Sequence, residues 1–362
     1  MSRNVLFRSV LFRGVRFRSV RFRSVRFCSD RFISCLGLLA ILLLAAGCSS
    51  KPNVAEPSKQ ATNTAPARDK VKLLLNWYPE AEHGGFYAAL VHGLYEKHGL
   101  DVEVLPGGRT SAVTPELVLG RVQFGVGNAD DIYLGRNEES PLVALMAPLQ
   151  INPRCIMVRK DSGITSLAEL KNIKLEADVG RPDIAFLQSK GLLHESVQVV
   201  PYFGSVAQIV AGPGTAQQAY SFSEPFLAQQ EGVQVTNLML AELGYNPYAC
   251  VLMSTDKYVA ENKDIARRMV AACIEGWQQY LRDPAKTNEY ILKQNQQGMT
   301  KEALDFGAVA MKELCLPSGM PESELGKMTA ERWTTLFEQM VDLKLIDPNK
   351  IKPEAGYLWP VK

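Results

Sequence analysis

Cysteine and histidine are scarce in this 362-residue chain, which has seven of the first and four of the second. Beyond Cys48 only Cys155, Cys250, Cys273 and Cys315 remain, widely spaced, with no Cys-x-x-Cys pair and no histidine at ligand spacing. No metal site is expected from such a set. The chain also lacks Gly-x-Ser-x-Gly, His-Glu-x-x-His, a Walker loop and Gly-x-Gly-x-x-Gly, so it offers no familiar nucleophile, phosphate cradle or dinucleotide fingerprint. His83, His92, His98 and His194 fit no nucleophile or metal pattern. Basic charge is missing from the body of the protein. The net charge is +2, but nine arginines and only one acid, Asp30, precede Cys48, which leaves 31 basic and 37 acidic residues from there on, a balance of −6. A chain without a basic body cannot grip nucleic acid. With 46% hydrophobic and 22% charged residues, its length suits two ordinary domains and excludes wholesale disorder or collagen-like repetition.

What is present begins with a leader. Residues 1–47 carry a repeated Arg-Phe-Arg-Ser-Val theme at Arg16–Val20 and Arg21–Val25, then an apolar run from Ile33 to Ala46. That run has the length of a signal-peptide core and is too short for a stable membrane span. It ends in Leu44-Ala45-Ala46-Gly47-Cys48-Ser49-Ser50, which reads as a lipobox, with cleavage before Cys48 and acylation of its thiol and new amine. The arginine repeat is longer than an ordinary n-region, which leaves the start codon open. Residues 48–69, rich in Ser, Pro, Ala, Thr and Asn, read as a tether. The expected protein is therefore anchored to a membrane through lipid on Cys48 and works outside the cytoplasmic membrane.

From Val71 onward short apolar runs alternate with helical stretches, which argues for mostly parallel sheets with helices on their faces. The pattern predicts strands at Val71–Leu75, Asp101–Leu105, Val122–Val126 and Leu142–Met146, and a helix over Phe86–Lys97. A second series follows Asp161-Ser162-Gly163, before a strand at Tyr248–Ser254 and a helical tail of about a hundred residues. The expected architecture is α/β with two lobes, residues 70–158 and 251–362 forming one and 159–250 the other. Two crossings make a hinge and the groove between the lobes makes a ligand site. Cys155 and Cys250 each sit in a strand-like run, so a disulfide is open to them if those strands pair; four buried thiols is the favoured reading.

Several clusters fall where ligands bind in open α/β sheets, beyond the carboxyl ends of strands. Trp77 and Tyr78 follow the first strand; neighbours in extended chain face opposite ways, so one ring is expected in the core and one in the groove. His83-Gly84-Gly85 then opens a helix with bare backbone N–H groups. Gly125-Val126-Gly127-Asn128-Ala129-Asp130-Asp131 combines small residues, which admit a ligand close to backbone, with polar edges at Asn128 and Asp130. Helix capping competes for Asn128 on even terms and is favoured for Asp131. Glu224, among the apolar residues of Ser221–Phe226, either serves a helix N-terminus or takes paired hydrogen bonds from an amino-substituted heterocycle or amidine. An anionic ligand would instead need Arg109 or Arg181.

Taken in order, Leu75-Asn76-Trp77-Tyr78-Pro79, His83-Gly84-Gly85-Phe86-Tyr87, Gly99-Leu100-Asp101-Val102-Glu103-Val104, Phe124-Gly125-Val126, Ala129-Asp130-Asp131, Ser223-Glu224-Pro225-Phe226 and Tyr245-Asn246-Pro247-Tyr248 resemble the NMT1/THI5-like family over residues 71–284. The resemblance implies the two-lobe type II periplasmic-binding fold. It also implies a solute-binding receptor of an ABC importer, with a permease and an ATPase as partners and no cofactor, acting as a monomer. In the most similar branch the ligand is a thiamine pyrimidine precursor, which the resemblance places on Trp77, Tyr78 and Glu224, with His83 matching the family's histidine. Sulfonate, nitrate or riboflavin-like ligands are the alternatives, as is a pyrimidine-synthesis enzyme. The loop Asp178–Asp183 lacks the Gly-Gly-Ser turn of relatives. The clustered cysteine metal motif of the fungal enzymes is also missing, which argues against catalysis.

Overall fold

The computed structural model describes residues 67–178 and 180–361. The leader, the Cys48 lipobox and all but the last residues of the tether lie outside them. Ten strands run β1 Asp69–Leu74, β2 Leu100–Leu105, β3 Phe124–Gly127, β4 Leu142–Met146, β5 Arg154–Arg159, β6 Lys174–Glu176, β7 Gln198–Val200, β8 Thr215–Tyr220, β9 Val235–Met239 and β10 Val251–Thr255. They form two five-stranded sheets of order β2-β1-β3-β10-β4 and β7-β6-β8-β5-β9. The helices in the first half are α1 Gly84–Val91, α2 Leu94–Lys97, α3 Val113–Val118, α4 Ala129–Asn137, α5 Pro182–Ser189, α6 Ala207–Ala211 and α7 Glu224–Gln230. The C-terminal third supplies α8 Asp256–Glu261, α9 Lys263–Arg282, α10 Ala285–Gln294, α11 Lys301–Cys315 and α12 Ala330–Asp342.

Both sheets are mixed rather than mostly parallel. β1 pairs parallel with β2 and β3, but β10, returning from the other lobe, runs antiparallel to β3 and β4. In the second sheet β6 is parallel to β7 and β8, while β5 is antiparallel to β8 and β9. The pairing of β5 also moves the first crossing. It lies at residues 147–153, before Arg154, and not after Val158, because the whole of β5 hydrogen-bonds within the second sheet. The return crossing is at residues 240–250. Cys155 consequently lies in β5 of the second sheet, whereas Cys250 lies in the return crossing just before β10. Their thiols donate to separate carbonyls, of Ala219 at 3.5 Å and Glu82 at 2.8 Å, and all four cysteines beyond Cys48 are buried and free.

Local chemistry accounts for the element ends. The expected 12-residue helix breaks at Gly93, which sits at φ 68° and separates α1 from α2, a conformation glycine adopts without steric cost. Thr255, Thr300 and Thr329 cap α8, α11 and α12 by accepting from the N–H groups of Tyr258, Ala303 and Arg332, satisfying donors that a helix start leaves orphaned. Pro182 and Pro225 occupy the first turns of α5 and α7, where a missing N–H costs nothing.

The helical tail docks on the first sheet. Its longest member, α9, lies across α1, with Trp277 wholly buried and its ring edge-on to Phe86 at 5.9 Å. The contact is this close because both helices carry glycine there. A Cβ on Gly84 or Gly85 would strike the rings of Tyr280 or Trp277, and one on Gly276 would come within 2.2 Å of the Gly85 carbonyl oxygen. The glycines of His83-Gly84-Gly85 thus serve helix packing and not ligand approach. Gly125 faces Val113 of α3, and Gly127 faces Met253 of the neighbouring strand β10. Gly276→Ala is expected to destabilise the fold by roughly 1–3 kcal/mol through overpacking against backbone, read as a lower denaturation midpoint; an unchanged midpoint would contradict the close crossing.

Candidate functional site

Between the sheets lies a cleft of about 440 Å³. Its first wall is built by the irregular segment after β1. Trp77 lines the cleft and Tyr78 does not; the two half-buried rings meet edge to face at 5.2 Å. Neither ring is a core residue. The alternation expected of extended chain fails because residues 76–80 form a bend, so Tyr78 lies beside Gly108 while the Gly107 N–H donates to the Trp77 carbonyl at 3.0 Å.

His83 is fully buried behind this wall and is not part of the cleft surface. Its Nε2 lies 3.0 Å from Asn76 Oδ1, and Asn76 Nδ2 in turn lies 3.5 Å from Glu82 Oε1. Burial lowers the His83 pKa to about 3, so the ring is neutral at ordinary pH and acts by orienting Asn76. Asn128 serves the helix and also borders the cleft. It is the N-cap of α4 in a capping box with Asp131, whose Oδ2 accepts from its backbone N at 3.0 Å and its Nδ2 at 3.1 Å, and it also lines the cleft.

Asp130 faces the cleft with its carboxylate already engaged. Arg154, at the start of β5, donates to both of its oxygens, and the Tyr245 hydroxyl donates to Oδ2 at 3.1 Å. Burial alone would raise the Asp130 pKa, but Arg154 outweighs it and holds the carboxylate below its usual range. Glu224, at the start of α7, accepts from the Tyr220 N–H at 2.8 Å and the Tyr202 hydroxyl at 3.1 Å. Its pKa is nonetheless raised, because burial exceeds those bonds.

Two further carboxyls, absent from the sequence expectations, share the cleft: Glu80 and Glu82. They are 8% and 5% exposed. Burial, then the neighbouring glutamates, push Glu80 well above the carboxylate range, and burial raises Glu82 to about 7. Three arginines also line the site, each with a partner. Arg154 serves Asp130; Arg181 pairs with Asp183 at 3.1 Å and Asp178 at 3.5 Å; Arg109 donates across the cleft to the Tyr202 carbonyl at 2.6 Å. The lining holds six acids against these three bases, which makes it rich in carboxyl groups able to meet hydrogen-bond donors of a ligand.

A family model described as NMT1/THI5 like matches residues 80–287, more than half of the chain. The chain belongs to the NMT1/THI5-like family. Among relatives of this member, the formylaminopyrimidine-binding protein of Halalkalibacterium halodurans is 22% identical over 307 residues, covering 82% of this chain and 89% of that protein. The riboflavin-binding protein RibY of Chloroflexus aurantiacus is 22% identical over 357 residues, covering 89% and 98%. The 4-amino-5-hydroxymethyl-2-methylpyrimidine phosphate synthase THI11 of Saccharomyces cerevisiae is 26% identical over 240 residues, covering 62% and 71%. In structure the chain resembles the periplasmic aliphatic sulphonate binding protein SsuA of Escherichia coli, with a TM-score of 0.62 at 16% identity over 81% of this chain and 93% of that one. The NMT1/THI5-like chain therefore has the two-domain α/β periplasmic-binding fold, as its sequence predicts.

The raised carboxyl pKa values carry a consequence for stability. A carboxyl whose folded pKa exceeds its unfolded value binds a proton more tightly when folded, so its contribution is fully present below the unfolded pKa and is lost as pH rises through the folded one. For Glu82 that window runs from 4.5 to about 7, and the loss is on the order of 3 kcal/mol. The empty protein is expected to melt lower at pH 8 than at pH 5, with a shallower decline in Glu82→Gln. Parallel pH profiles for the two proteins would contradict a Glu82 whose burial outweighs its bond from Asn76.

Proposed function

We propose that this chain is a lipid-anchored, extracytoplasmic solute receptor of an ABC importer that closes on a small aminopyrimidine-type heterocycle. The observation that carries the ligand class is Glu224. Its carboxyl faces a shared cleft with Trp77, held in place by Tyr220 and Tyr202 and unpaired with any arginine. The exocyclic amino group of such a heterocycle can donate to the Glu224 carboxylate, and a charge-assisted bond of this kind contributes roughly 1.5–3 kcal/mol. Trp77 offers the flat ligand a ring contact of about 0.5–1.5 kcal/mol beyond area burial.

The binding-protein names of two relatives and the periplasmic-binding fold support a receptor role in transport, and the lipobox at Cys48 supports anchoring. A sulfonate or nitrate ligand is disfavoured because Arg109 and Arg181, the groups it would need, are committed to Tyr202 and to Asp178 and Asp183. A riboflavin-like ligand remains the second reading, favoured by the length over which RibY aligns. Closure follows from a ligand that bonds both walls at once and so favours the state in which they meet. Against catalysis stands the lack, in this sequence, of the clustered cysteine motif that the family resemblance implies for the fungal enzymes.

A thermal-shift series tests this reading, since a ligand at about 100 times its dissociation constant adds about 2.7 kcal/mol to stability. 4-amino-5-hydroxymethyl-2-methylpyrimidine should raise the melting temperature while taurine and nitrate leave it unchanged. Glu224→Gln should weaken the pyrimidine about tenfold or more, and Trp77→Ala should weaken it less with little change in the empty protein's stability. A shift with taurine alone would overturn the ligand class, and one with riboflavin alone would select the second reading. Conversion of the pyrimidine to a new product would overturn the receptor role.

A further inference from the structure

We infer that the solute enters the cleft as a cation, an ammonium-bearing or otherwise protonated nitrogen heterocycle whose charge is held among Glu80, Glu82 and Glu224. This inference rests on the pyrimidine reading above and narrows its ligand. Its ground is the charge inventory of one cleft. Glu80 and Glu82 are each more than nine-tenths buried and line the same cleft as Glu224. Among the described residues no ion pair joins any of the three to an arginine or lysine, and the basic side chain nearest Glu82, His83 at 3.6 Å, is kept neutral by burial. Removing carboxylates from water without a cation is costly; of the lining arginines, Arg154 and Arg181 are paired with Asp130 and Asp183, and Arg109 is bonded to the Tyr202 carbonyl. A fold that keeps three such groups at its ligand cleft obtains the missing positive charge from what it binds, since departures from satisfied burial concentrate at functional sites.

The orientation of Glu82 agrees. Asn76 holds its Oε1, and the buried His83 holds Asn76, so the carboxyl is positioned rather than free to turn away. A donor without a partner lies in the same cleft: Arg154 is 4% exposed, and its Nε–H has no acceptor among the described residues. A ligand with a cationic nitrogen at one end and a carbonyl or hydroxyl oxygen elsewhere would complete both.

The test compares two pyrimidines of the same shape, 4-amino-5-aminomethyl-2-methylpyrimidine, whose side chain is an ammonium at neutral pH, and its uncharged 5-hydroxymethyl counterpart, by calorimetric titration of the full chain. The ammonium form should bind about tenfold tighter or more, and the Glu80→Gln/Glu82→Gln double variant should abolish that preference. The same variant should melt higher than the parent when empty at pH 8, because it removes unpaired buried charge, so lost preference with raised stability separates a binding role from a folding defect. Equal affinity for the two compounds, or a preference that survives the double variant, would overturn the cation and leave the pyrimidine reading in place. Binding of neither would overturn both.

Discussion

The ion pair between Asp130 and Arg154 governs the character of the cleft. Asp130 opens α4 on the first lobe and Arg154 opens β5 on the second, so one buried contact ties the lobes together at the first crossing. Breaking such a pair by removing one partner strands the other charge, at a cost of about 3–5 kcal/mol. Tyr245, from the return crossing, donates to the same Asp130 oxygen, and both strands of the hinge thus meet on one carboxylate. The pair also removes the most buried arginine of the cleft from service to a ligand, and what remains is a surplus of acid.

That surplus comes from side chains on the loops and element ends, not from the fold itself. The likeness to SsuA at 16% identity speaks for architecture alone, and architecture is shared by receptors of many solutes. Specificity resides in which side chains the loops present. Here Arg109 reaches from the first lobe to the Tyr202 carbonyl, and the Tyr202 hydroxyl reaches Glu224. One residue of the second lobe therefore links the opposite wall to the glutamate, coupling the position of that carboxyl to contact between the walls.

Much of the architecture was legible in the sequence, and the reasons are physical. Apolar runs such as Val71–Leu75 and Leu142–Met146 announce buried strands, and they stand where expected. Strand direction was less visible: β5 and β10 cross between lobes and must run antiparallel to the neighbours they rejoin, which periodicity does not encode. Within the site, Glu224 and Trp77 were readable because polar or aromatic residues at strand ends have few structural excuses. Glu80 and Glu82 were missed although they adjoin Trp77-Tyr78-Pro79, because acidic residues before a helix usually serve its dipole; only burial shows otherwise. Arg154 left a fainter sign, a charge opening the apolar run Cys155–Val158. The glycines at 84, 85, 125 and 127 misled for the opposite reason, since a residue suited to ligand approach is equally suited to close packing.

The most direct test of the account is a crystal structure of the chain with 4-amino-5-hydroxymethyl-2-methylpyrimidine bound. The account predicts the ring against Trp77 with its exocyclic amino nitrogen within about 2.7–3.2 Å of the Glu224 carboxyl, Asp130 and Arg154 still paired. A pyrimidine bound away from Glu224, or held through arginines released from Asp130 or Asp183, would contradict it.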